Sequence, residues 1–516
     1  MEPPRTVVIG IDGAHFELIE PWLEEGSLPN IARVIENGVS GDLESVLPPV
    51  TSPNWKAYST GRNPGQFGIF WWENVDVEGR RVYYPSARKH QHPEFWEMIA
   101  ERKPVGVLGV PTTHPPKSVD SFLVSGAPDG EETGFAQPPE VESVLREELD
   151  YRVTKRHRMT NDMDATAEEI LELIDLRFRA AERLLEDHEV SFLQITTFYI
   201  NTLHHYCWDE DYTRRGWEII DERIGEFLSY DPNVVLMSDH GSNEIETVFN
   251  INTWLEREGY LRVDSTVAGV LQRLGITTDF LSELTTRLGV KEAVKRFTPK
   301  RLINQLPDSS GELSHGAKGE NVDWERTEVL ASGQGPVYIT VDETSSRYEE
   351  LRSELIRKLR NLTDHDGNPI ADEVHRGEEV YSGEYLDEAP DLVIDQAKSV
   401  HIPGGVGQES VFMDPEQGGW RAENKRHGLF AAVGPDFGDG QVEGLSILDL
   451  APTLLHLHGG TVPSSLDGSV RRDVFAEGSE VRSREPEVHE ESATGVIDSD
   501  SAEQELQSRL EDLGYM

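Results

Sequence analysis

The segment TVVIGID, residues 6–12, decides the fold that we expect for this chain. A short run of β-branched and other apolar residues is typical of a strand that is buried on both faces of a parallel sheet. A second run of this kind, VVLMSDHG at residues 234–241, also ends in polar side chains. Ligands bind at the carboxyl ends of strands in open α/β sheets. If the two strands are neighbours, Asp12, Asp239 and His240 share one edge and favour a divalent cation there.

Strand-like runs alternate with amphipathic helical segments along most of the chain. Helical patterns cover residues 16–26, 28–38 and 165–188, and Gly26 and Gly38 are suitable stops for the first two. Further strand candidates are the segments at residues 104–111, 121–126, 190–198, 336–341, 391–396 and 428–434. This alternation predicts an α/β fold with a mostly parallel central sheet and helices on both faces.

Three regions depart from this pattern. Residues 262–322 contain short amphipathic helices without strands, which predicts a helical insertion that is either a lid over the strand ends or a packed satellite. Residues 477–503 are acidic and poor in large apolar side chains, which predicts a disordered linker. Residues 504–516 are expected to form a short helix. The α/β core then comprises residues 1–261 and 323–476.

The composition is strongly acidic. Lys and Arg number 48 against 95 Asp and Glu, so the formal net charge is −47. No basic stripe is available to neutralise phosphates, which excludes a nucleic-acid polymer as the partner. We interpret the charge as an adaptation to high salt, where the Debye length falls to about 3 Å at 1 M and self-repulsion is screened.

Targeting features are absent from the sequence pattern. The single cysteine, Cys207, excludes an internal disulfide. The first residues lack a basic region followed by an apolar one, and no apolar run approaches the roughly 18 residues that a bilayer span needs. We therefore expect a cytoplasmic protein with no membrane span, whose oligomeric state the sequence leaves open.

The segment LPPVTSPNW, residues 47–55, places a hydroxyl at the predicted start of a helix. Pro53 fits the first turn of a helix, so Thr51 lies at or just before its N-terminus. That position favours a phosphate, and a hydroxyl beside a metal can become a nucleophile. The alternative is that Thr51 or Ser52 is only an N-cap. A role for Thr51 as nucleophile therefore depends on the two aspartates being close to it.

A third candidate segment is FYINTLHHYCWDED, residues 198–211. His204 and His205, with Asp209 nearby, are residue types that bind zinc, magnesium or manganese. The alternative is that a histidine pair in an aromatic-rich helix packs and forms hydrogen bonds in the core. A similar choice, between a stacking wall for a base or sugar and a part of the core, applies to Trp55, Phe70, Trp71 and Trp72.

Taken in order, these residues resemble the alkaline phosphatase superfamily, and within it the branch of type I phosphodiesterases and nucleotide pyrophosphatases. The resemblance is carried by residues 9–43, 48–70, 238–241, 322–339 and 447–468, and by LEDLGY at residues 510–515. Several ordered segments are together far more specific than any one of them. The resemblance implies an alkaline phosphatase-like fold and hydrolysis of phosphoric ester bonds.

The resemblance also implies two divalent metals, zinc or manganese, at the strand ends. Asp12, Asp239 and His240 would hold the first metal, with Thr51 bound to it as the nucleophile, and Asn54 would help to hold a phosphate oxygen. Attack by Thr51 would give a covalent phosphothreonine, which water then hydrolyses. Candidate substrates are phosphodiesters, nucleotide pyrophosphates and phosphomonoesters. Threonine argues against sulfate esters, because related sulfatases carry an oxidisable cysteine or serine at this position.

The second implied metal site departs from the family pattern at two positions. His205 matches the middle ligand, but Asn201 stands where the family has an aspartate and Asn424 where it has a histidine. Asparagine offers a carbonyl oxygen without a negative charge, so this set is weak for a dication. Possible substitute ligands are His204, Asp209 and His427.

This departure leaves two alternatives to an ordinary two-metal hydrolase. One is a family member that binds a phosphorylated or glycan ligand without hydrolysing it. The other is a phosphoryl transferase or mutase, which passes the phosphoryl group to another acceptor. The expected partner of the hydrolase or transferase is a small phosphorylated substrate.

Overall fold

The computed structural model describes residues 3–85, 92–157, 159, 162–208, 210–263, 318–415 and 419–490. Nearly all of the insertion that we expect at residues 262–322 lies outside these ranges. The same holds for Asp209 and for the helix expected at residues 504–516.

A ten-stranded sheet lies at the centre of the described chain. From edge to edge its strands are Gly440–Gln441, Val39–Glu44, His427–Val433, Asn233–Met237, Thr6–Ile11, Phe192–Thr197, Val105–Leu108, Ser121–Val124 and Ala136–Gln137, and Leu445–Ser446 also pairs with Val39–Glu44. The five strands from Asn233–Met237 to Ser121–Val124 are parallel, whereas His427–Val433 is antiparallel to both of its neighbours. The prediction of a mostly parallel sheet is confirmed.

The first strand, Thr6–Ile11, is buried on both faces, as its apolar sequence predicts. Successive side chains of a strand point to opposite faces. Val7 and Ile9 therefore pack into one apolar cluster, and Val8 packs into the other. Each cluster lies between the sheet and one layer of helices. The strand therefore contributes side chains to the core on both faces of the sheet.

Helices cover both faces of the central sheet. The cluster around Val7 and Ile9 includes residues of Phe16–Glu24, Pro29–Asn37, Pro139–Leu149, Met163–Asp187, Ile200–Tyr206 and Asp211–Leu228. The cluster around Val8 includes residues of Thr51–Thr60, Pro64–Phe67, Phe95–Ala100 and Leu450–Leu457. None of the helices in the described part of the chain has the length and apolar character that a bilayer crossing requires.

Two predicted strands lie outside the central sheet. Pro336–Ile339 and Leu392–Gln396 belong to a separate antiparallel sheet of four strands, completed by Val329–Ala331 and Ala371–Arg376. Helix Ser346–Arg360 packs against this small sheet. A strand pattern in the sequence does not specify which strand it pairs with. The central sheet therefore contains fewer of the predicted strands than we expected from the alternation.

Short elements complete the described chain. The strands are Asn74–Asp76 with Arg81–Tyr83, the group Val400–His401, Thr247–Phe249 and Phe412–Met413, and the ribbon of Gly241–Glu244 with Ala422–Lys425. The helices are Ile251–Glu258, Lys318–Asn321 and Gly377–Val380. The ribbon matters for function, because it continues from the central sheet next to the carboxyl ends of its parallel strands.

The start of the predicted acidic linker is folded, which corrects part of the expectation for residues 477–503. Residues Glu480–Ser483 form a helix, and Val488–His489 pairs in parallel with Val462–Pro463. Val481 is buried in the apolar core. Burial of Val481, capping of the helix by Ser479 and this strand pairing together order a segment whose composition favours disorder.

Helix Thr51–Thr60 is held in the core by a buried ion pair. Lys56 Nζ lies 2.9 Å from Glu94 Oε1, and both side chains are almost fully buried. Burial would raise the pKa of Glu94, but Lys56 and Lys117 lower it below its ordinary value, so the carboxylate is charged at neutral pH. Glu94 also accepts a hydrogen bond from Trp96 Nε1 at 3.1 Å.

We expect Glu94→Ala to lower the free energy of unfolding by about 3–5 kcal/mol, because it leaves the Lys56 ammonium buried without a counter-charge. The matched control is Glu168→Ala, which removes an exposed partner of Arg215 and should change stability little. Denaturant unfolding in molar salt measures both variants. Equal, small effects of the two substitutions would contradict this assignment.

Candidate metal and nucleophile site

The register of the central sheet places Asp12 beside Asp239. Strand Thr6–Ile11 pairs in parallel with Asn233–Met237, and Gly10 lies opposite Met237. Asp12 and Asp239 each follow two residues after this pair, so both carboxylates leave neighbouring strands at the same level. The predicted cation site requires the two strands to be neighbours, and they are.

A local irregularity turns Asp239 and His240 towards the same point. The chain from Met237 to Gly241 runs antiparallel to the chain from Lys425 to Phe430. Met237 pairs with Phe430 and Gly241 pairs with Lys425. Three residues separate these pairs on the first chain and four on the second, so the second contains one extra residue, as in a β-bulge. Irregularities of this kind re-aim side chains next to functional sites.

Asp12, Asp239 and His240 form a compact and fully buried cluster. One potential ligand atom from each lies within 4.8 Å of the others. His240 Nε2 is 3.2 Å from Asp239 Oδ2 and 3.6 Å from Asp12 Oδ1. Within the described chain it is the one group of three or more carboxylate, imidazole or thiol side chains placed to hold a metal ion.

The hydrogen bonds of the three side chains use one polar atom of each and leave the other as a potential metal ligand. His240 Nδ1 lies 2.9 Å from the carbonyl oxygen of Gly241, which can only accept, so Nδ1 carries the proton and Nε2 carries a lone pair. Trp55 Nε1 donates to Asp12 Oδ2 at 2.9 Å, and the backbone N–H of Gly13 donates to Asp239 Oδ1 at 3.3 Å. Asp12 Oδ1 and Asp239 Oδ2 have no hydrogen-bond partner in the described structure.

The protonation of the cluster reflects its burial. Burial raises the pKa of Asp12 to about 8, and Trp55, Asn201 and Thr51 oppose the shift in part. Burial and the charge of Asp12 raise the pKa of Asp239 well above its ordinary value. Burial lowers the pKa of His240 to about 3, so the ring is neutral.

A divalent cation fits this arrangement. Two buried carboxylate oxygens without partners and one imidazole lone pair converge on a common point, and a positive charge there would satisfy all three. The Nδ1–H bond of His240 to a backbone carbonyl is the kind of outer contact that orients a metal-binding imidazole. Oxygen and nitrogen ligands of this type suit zinc or manganese.

The Thr51 hydroxyl faces the cluster of Asp12, Asp239 and His240 from the helix layer that packs around Val8. It is the first residue of helix Thr51–Thr60, whose N-cap position is occupied by Val50. The Thr51 hydroxyl caps no backbone N–H and instead lies 3.2 Å from His240 Nε2. The alternative that Thr51 or Ser52 is only an N-cap therefore does not describe this helix.

The Asn54 amide forms its hydrogen bonds within the loop that precedes helix Thr51–Thr60. Its Nδ2 donates to the backbone carbonyls of Val46, Pro48 and Val50, and its Oδ1 accepts from the backbone N–H of Val46. Both N–H groups are thus used within the loop before the helix. A contact of the Asn54 amide with a phosphate oxygen, which the resemblance implies, would require one of these N–H bonds to be exchanged.

The three residues of the implied second metal site do come together. Asn201 and His205 lie one turn apart on helix Ile200–Tyr206, and Asn424 lies on the ribbon strand Ala422–Lys425. Asn201 Nδ2 is 3.2 Å from His205 Nε2 and 3.4 Å from Asn424 Oδ1. All three side chains are buried.

Two of the possible substitute ligands do not offer a nitrogen to the second metal site. The ring nitrogens of His204 contact Trp217 Nε1 at 3.0 Å and Ser242 Oγ at 3.4 Å, which matches the packing alternative for this residue. His427 is exposed, whereas the asparagine cluster is buried. The third, Asp209, lies outside the described residues.

Several residues at the site were not singled out from the sequence. Ser242 Oγ lies 3.1 Å from Asn201 Oδ1 and 2.9 Å from the carbonyl of Gly13. Gly13 has φ of +72°, and a Cβ there would lie 2.3 Å from Asn201 Oδ1. The sequence signal for both was present, because each closely follows a strand-end aspartate, as IDG and DHGS.

The four aromatic residues considered for a stacking wall belong to the core. Trp55 and Phe70 are fully buried, and Trp71 and Trp72 are nearly so. Trp55 has a further role, since its indole N–H holds one oxygen of Asp12. The aromatic ring that covers part of the site is instead Trp420, which stacks on His205 with 3.8 Å between ring centroids.

Comparisons with known proteins identify the family and the fold of this chain. The model of the family described as "Type I phosphodiesterase / nucleotide pyrophosphatase" matches residues 6–420. This chain belongs to that family. No curated protein matches the sequence significantly.

Solved structures of a similar fold include phosphonoacetate hydrolase from Sinorhizobium meliloti 1021. Its complex with phosphonoformate has 15% sequence identity and a TM-score of 0.57, and the match covers 87% of this chain and 94% of that one. Its complex with phosphonoacetate has 14% identity and a TM-score of 0.54 over the same shares of each chain. At this identity the likeness establishes the fold.

We expect Trp55→Phe to weaken binding of zinc or manganese by about 10–100-fold, because it removes the donor that orients Asp12. The matched control is Trp96→Phe, which removes another buried indole donor to a carboxylate, Glu94, away from the cluster. Calorimetric metal titration of the stripped protein measures both. Equal affinity in the two variants would contradict the assigned role of Trp55.

The raised pKa of Asp12 predicts a pH dependence in the metal-free protein. Between pH of about 4 and about 8 the folded chain holds a proton that the unfolded chain has released, so the free energy of unfolding falls as pH rises through this window. In Asp12→Asn this decrease should be smaller. Unfolding curves recorded with chelator at several pH values test this, and parallel profiles for the two proteins would contradict it.

Proposed function

We propose that this chain is a divalent-metal-dependent hydrolase of phosphoric esters, of the phosphodiesterase or nucleotide pyrophosphatase type, with Thr51 as its nucleophile. The observation that carries the proposal is the position of the Thr51 hydroxyl. It lies at the first residue of a buried helix and 3.2 Å from His240 Nε2, within the cluster of Asp12 and Asp239. Family membership supports the reaction class.

Asp12, Asp239 and His240 would hold one zinc or manganese ion. When bound, the ion supplies Lewis-acid chemistry that lowers the pKa of a neighbouring hydroxyl. His240 Nε2, neutral and directed by its Nδ1–H bond, faces the Thr51 hydroxyl. Trp55 and the backbone N–H of Gly13 fix the two carboxylates, so the ligand atoms are oriented before substrate arrives.

The proposed chemistry divides one displacement into two. Thr51 Oγ forms a bond to phosphorus while the bond from phosphorus to the leaving oxygen, of an alcohol in an ester or of a phosphate in a pyrophosphate, breaks, and the hydroxyl proton passes through solvent to the departing group. Water then attacks the phosphothreonine, which releases phosphate or a phosphomonoester and restores Thr51. The N-terminal end of helix Thr51–Thr60 favours the negative phosphoryl group.

A second candidate function is binding of a phosphorylated or glycan ligand without hydrolysis. The presence of Asn201 and Asn424 beside His205 favours it, because neither amide carries the charge of a metal-binding carboxylate. Transfer of the phosphoryl group to an acceptor other than water is a variant of the proposed reaction. The amount of phosphothreonine formed, and the acceptor that removes it, distinguish these functions.

The test compares purified wild type with Thr51→Ala and Thr51→Ser. The substrates are aryl phosphodiesters, an aryl phosphomonoester and a dinucleotide pyrophosphate, in molar salt with zinc or manganese. We expect Thr51→Ala to lower kcat/KM by about 10³-fold or more, since a nucleophile is removed. Acid-quenched wild type should carry phosphate on Thr51 by mass spectrometry.

The matched control is Thr60→Ala, the same change at the other end of the same helix. The Thr60 hydroxyl donates to the carbonyl of Lys56, away from the metal cluster, so turnover should stay near that of wild type. No turnover by wild type on any of these substrates, or undiminished turnover by Thr51→Ala, would contradict the proposal.

A further inference from the structure

The cluster of Asn201, His205 and Asn424 has a defined hydrogen-bond direction. His205 Nδ1 lies 2.7 Å from the carbonyl oxygen of Ala422, so Nδ1 carries the proton and Nε2 accepts. Burial lowers the pKa of His205 to about 4, which leaves the ring neutral. The group of Asn201 that lies 3.2 Å from Nε2 is therefore its amide nitrogen, as a donor.

The contacts of Asn201 with Ser242 agree with this orientation of the Asn201 amide. Trp217 Nε1 donates to His204 Nε2, so His204 Nδ1 carries a proton and Ser242 Oγ accepts from it. The proton of Ser242 is then available to the carbonyl of Gly13 or to Asn201 Oδ1. Asn201 thus directs its oxygen to Ser242 and its N–H groups to His205 and Asn424.

This arrangement does not fit a second dication. The lone pair of His205 that a metal would use already accepts an amide N–H, and neither Asn201 nor Asn424 supplies a negative charge. The nearby carboxylate of Glu423 is engaged elsewhere: Oε1 accepts from Gln334 Nε2 and from the backbone N–H of Asn424, and Oε2 pairs with His401. In a strand, Glu423 and Asn424 also face opposite sides.

One N–H donor of the cluster, the amide nitrogen of Asn424, has no acceptor in the described structure. Asn424 is fully buried, its Oδ1 accepts from Asn201, and its Nδ2 has no hydrogen-bond partner in the described structure. A buried unpaired donor is costly and calls for a ligand or water. The cluster adjoins the metal cluster, because Gly13 directly follows Asp12 and lies against both Asn201 and Ser242.

We infer that Asn201, His205 and Asn424 form an oxyanion site, in which Asn424 Nδ2 donates a hydrogen bond to a substrate phosphoryl oxygen in place of a second metal. The inference rests on the proposed function for the identity of the ligand. Asn424 is the residue that touches the oxygen, and Asn201 and His205 are positioning residues that hold its amide. The chain would then be a one-metal member of its family.

Metal stoichiometry tests the first half of the inference without any turnover. The stripped protein is loaded with zinc in molar salt, freed of surface ions by gel filtration and analysed for metal. We expect about one dication per chain in wild type and about two in the double variant Asn201→Asp, Asn424→His, which restores a charged and imidazole ligand set. Two tightly bound ions in wild type would overturn the inference.

Binding of inorganic phosphate to the protein loaded with one metal tests the second half. We expect Asn424→Ala to weaken phosphate binding by about 10-fold or more, and Asn424→Asp to weaken it further through repulsion of the anion. The matched control His427→Ala changes an exposed side chain at the start of strand His427–Val433, three residues after Asn424, and should bind phosphate as wild type does. Unchanged affinity in Asn424→Ala, with an unchanged unfolding midpoint, would overturn the inference. Because neither readout needs catalysis, failure of the proposed function alone would appear as correct binding without phosphorylation of Thr51.

Discussion

The rest of the site depends on two carboxylates that parallel strand pairing holds side by side in the dry interior. Asp12 and Asp239 leave adjacent strands at one level, and burial raises the pKa of both. Two such groups cannot both be ionised there without a compensating positive charge. That requirement explains the surrounding contacts. Trp55 and the backbone N–H of Gly13 fix one oxygen of each carboxylate, and the other oxygens face the imidazole of His240.

The two halves of the site are built on different physical principles. One half concentrates negative charge and offers ligand atoms that lack partners, which suits a cation. The other half is an uncharged chain of hydrogen bonds from Trp217 through His204 and Ser242 to the amide of Asn201. A chain of this kind costs little to bury because nearly every donor has an acceptor, and its one unpaired donor, on Asn424, is suited to an anion.

Part of this could be predicted from the sequence. Strand-end positions predicted Asp12, Asp239 and His240, and the proline in the first helical turn predicted the place of Thr51. Local pattern does not specify strand pairing, so it did not predict the small antiparallel sheet. It does not specify side-chain direction either, so it did not predict the hydrogen bond from Trp55 to Asp12 or those of Asn54 within the loop. Composition predicted disorder where the burial of Val481 produces order.

The central claim is that one dication binds between Asp12, Asp239 and His240 in front of Thr51. Anomalous diffraction at the zinc edge, from crystals grown with zinc and inorganic phosphate, measures this most directly. We expect one strong peak among these three side chains, and phosphate oxygen rather than metal beside Asn424. A second strong peak between Asn201, His205 and Asn424, or no peak beside Asp12 and Asp239, would contradict it.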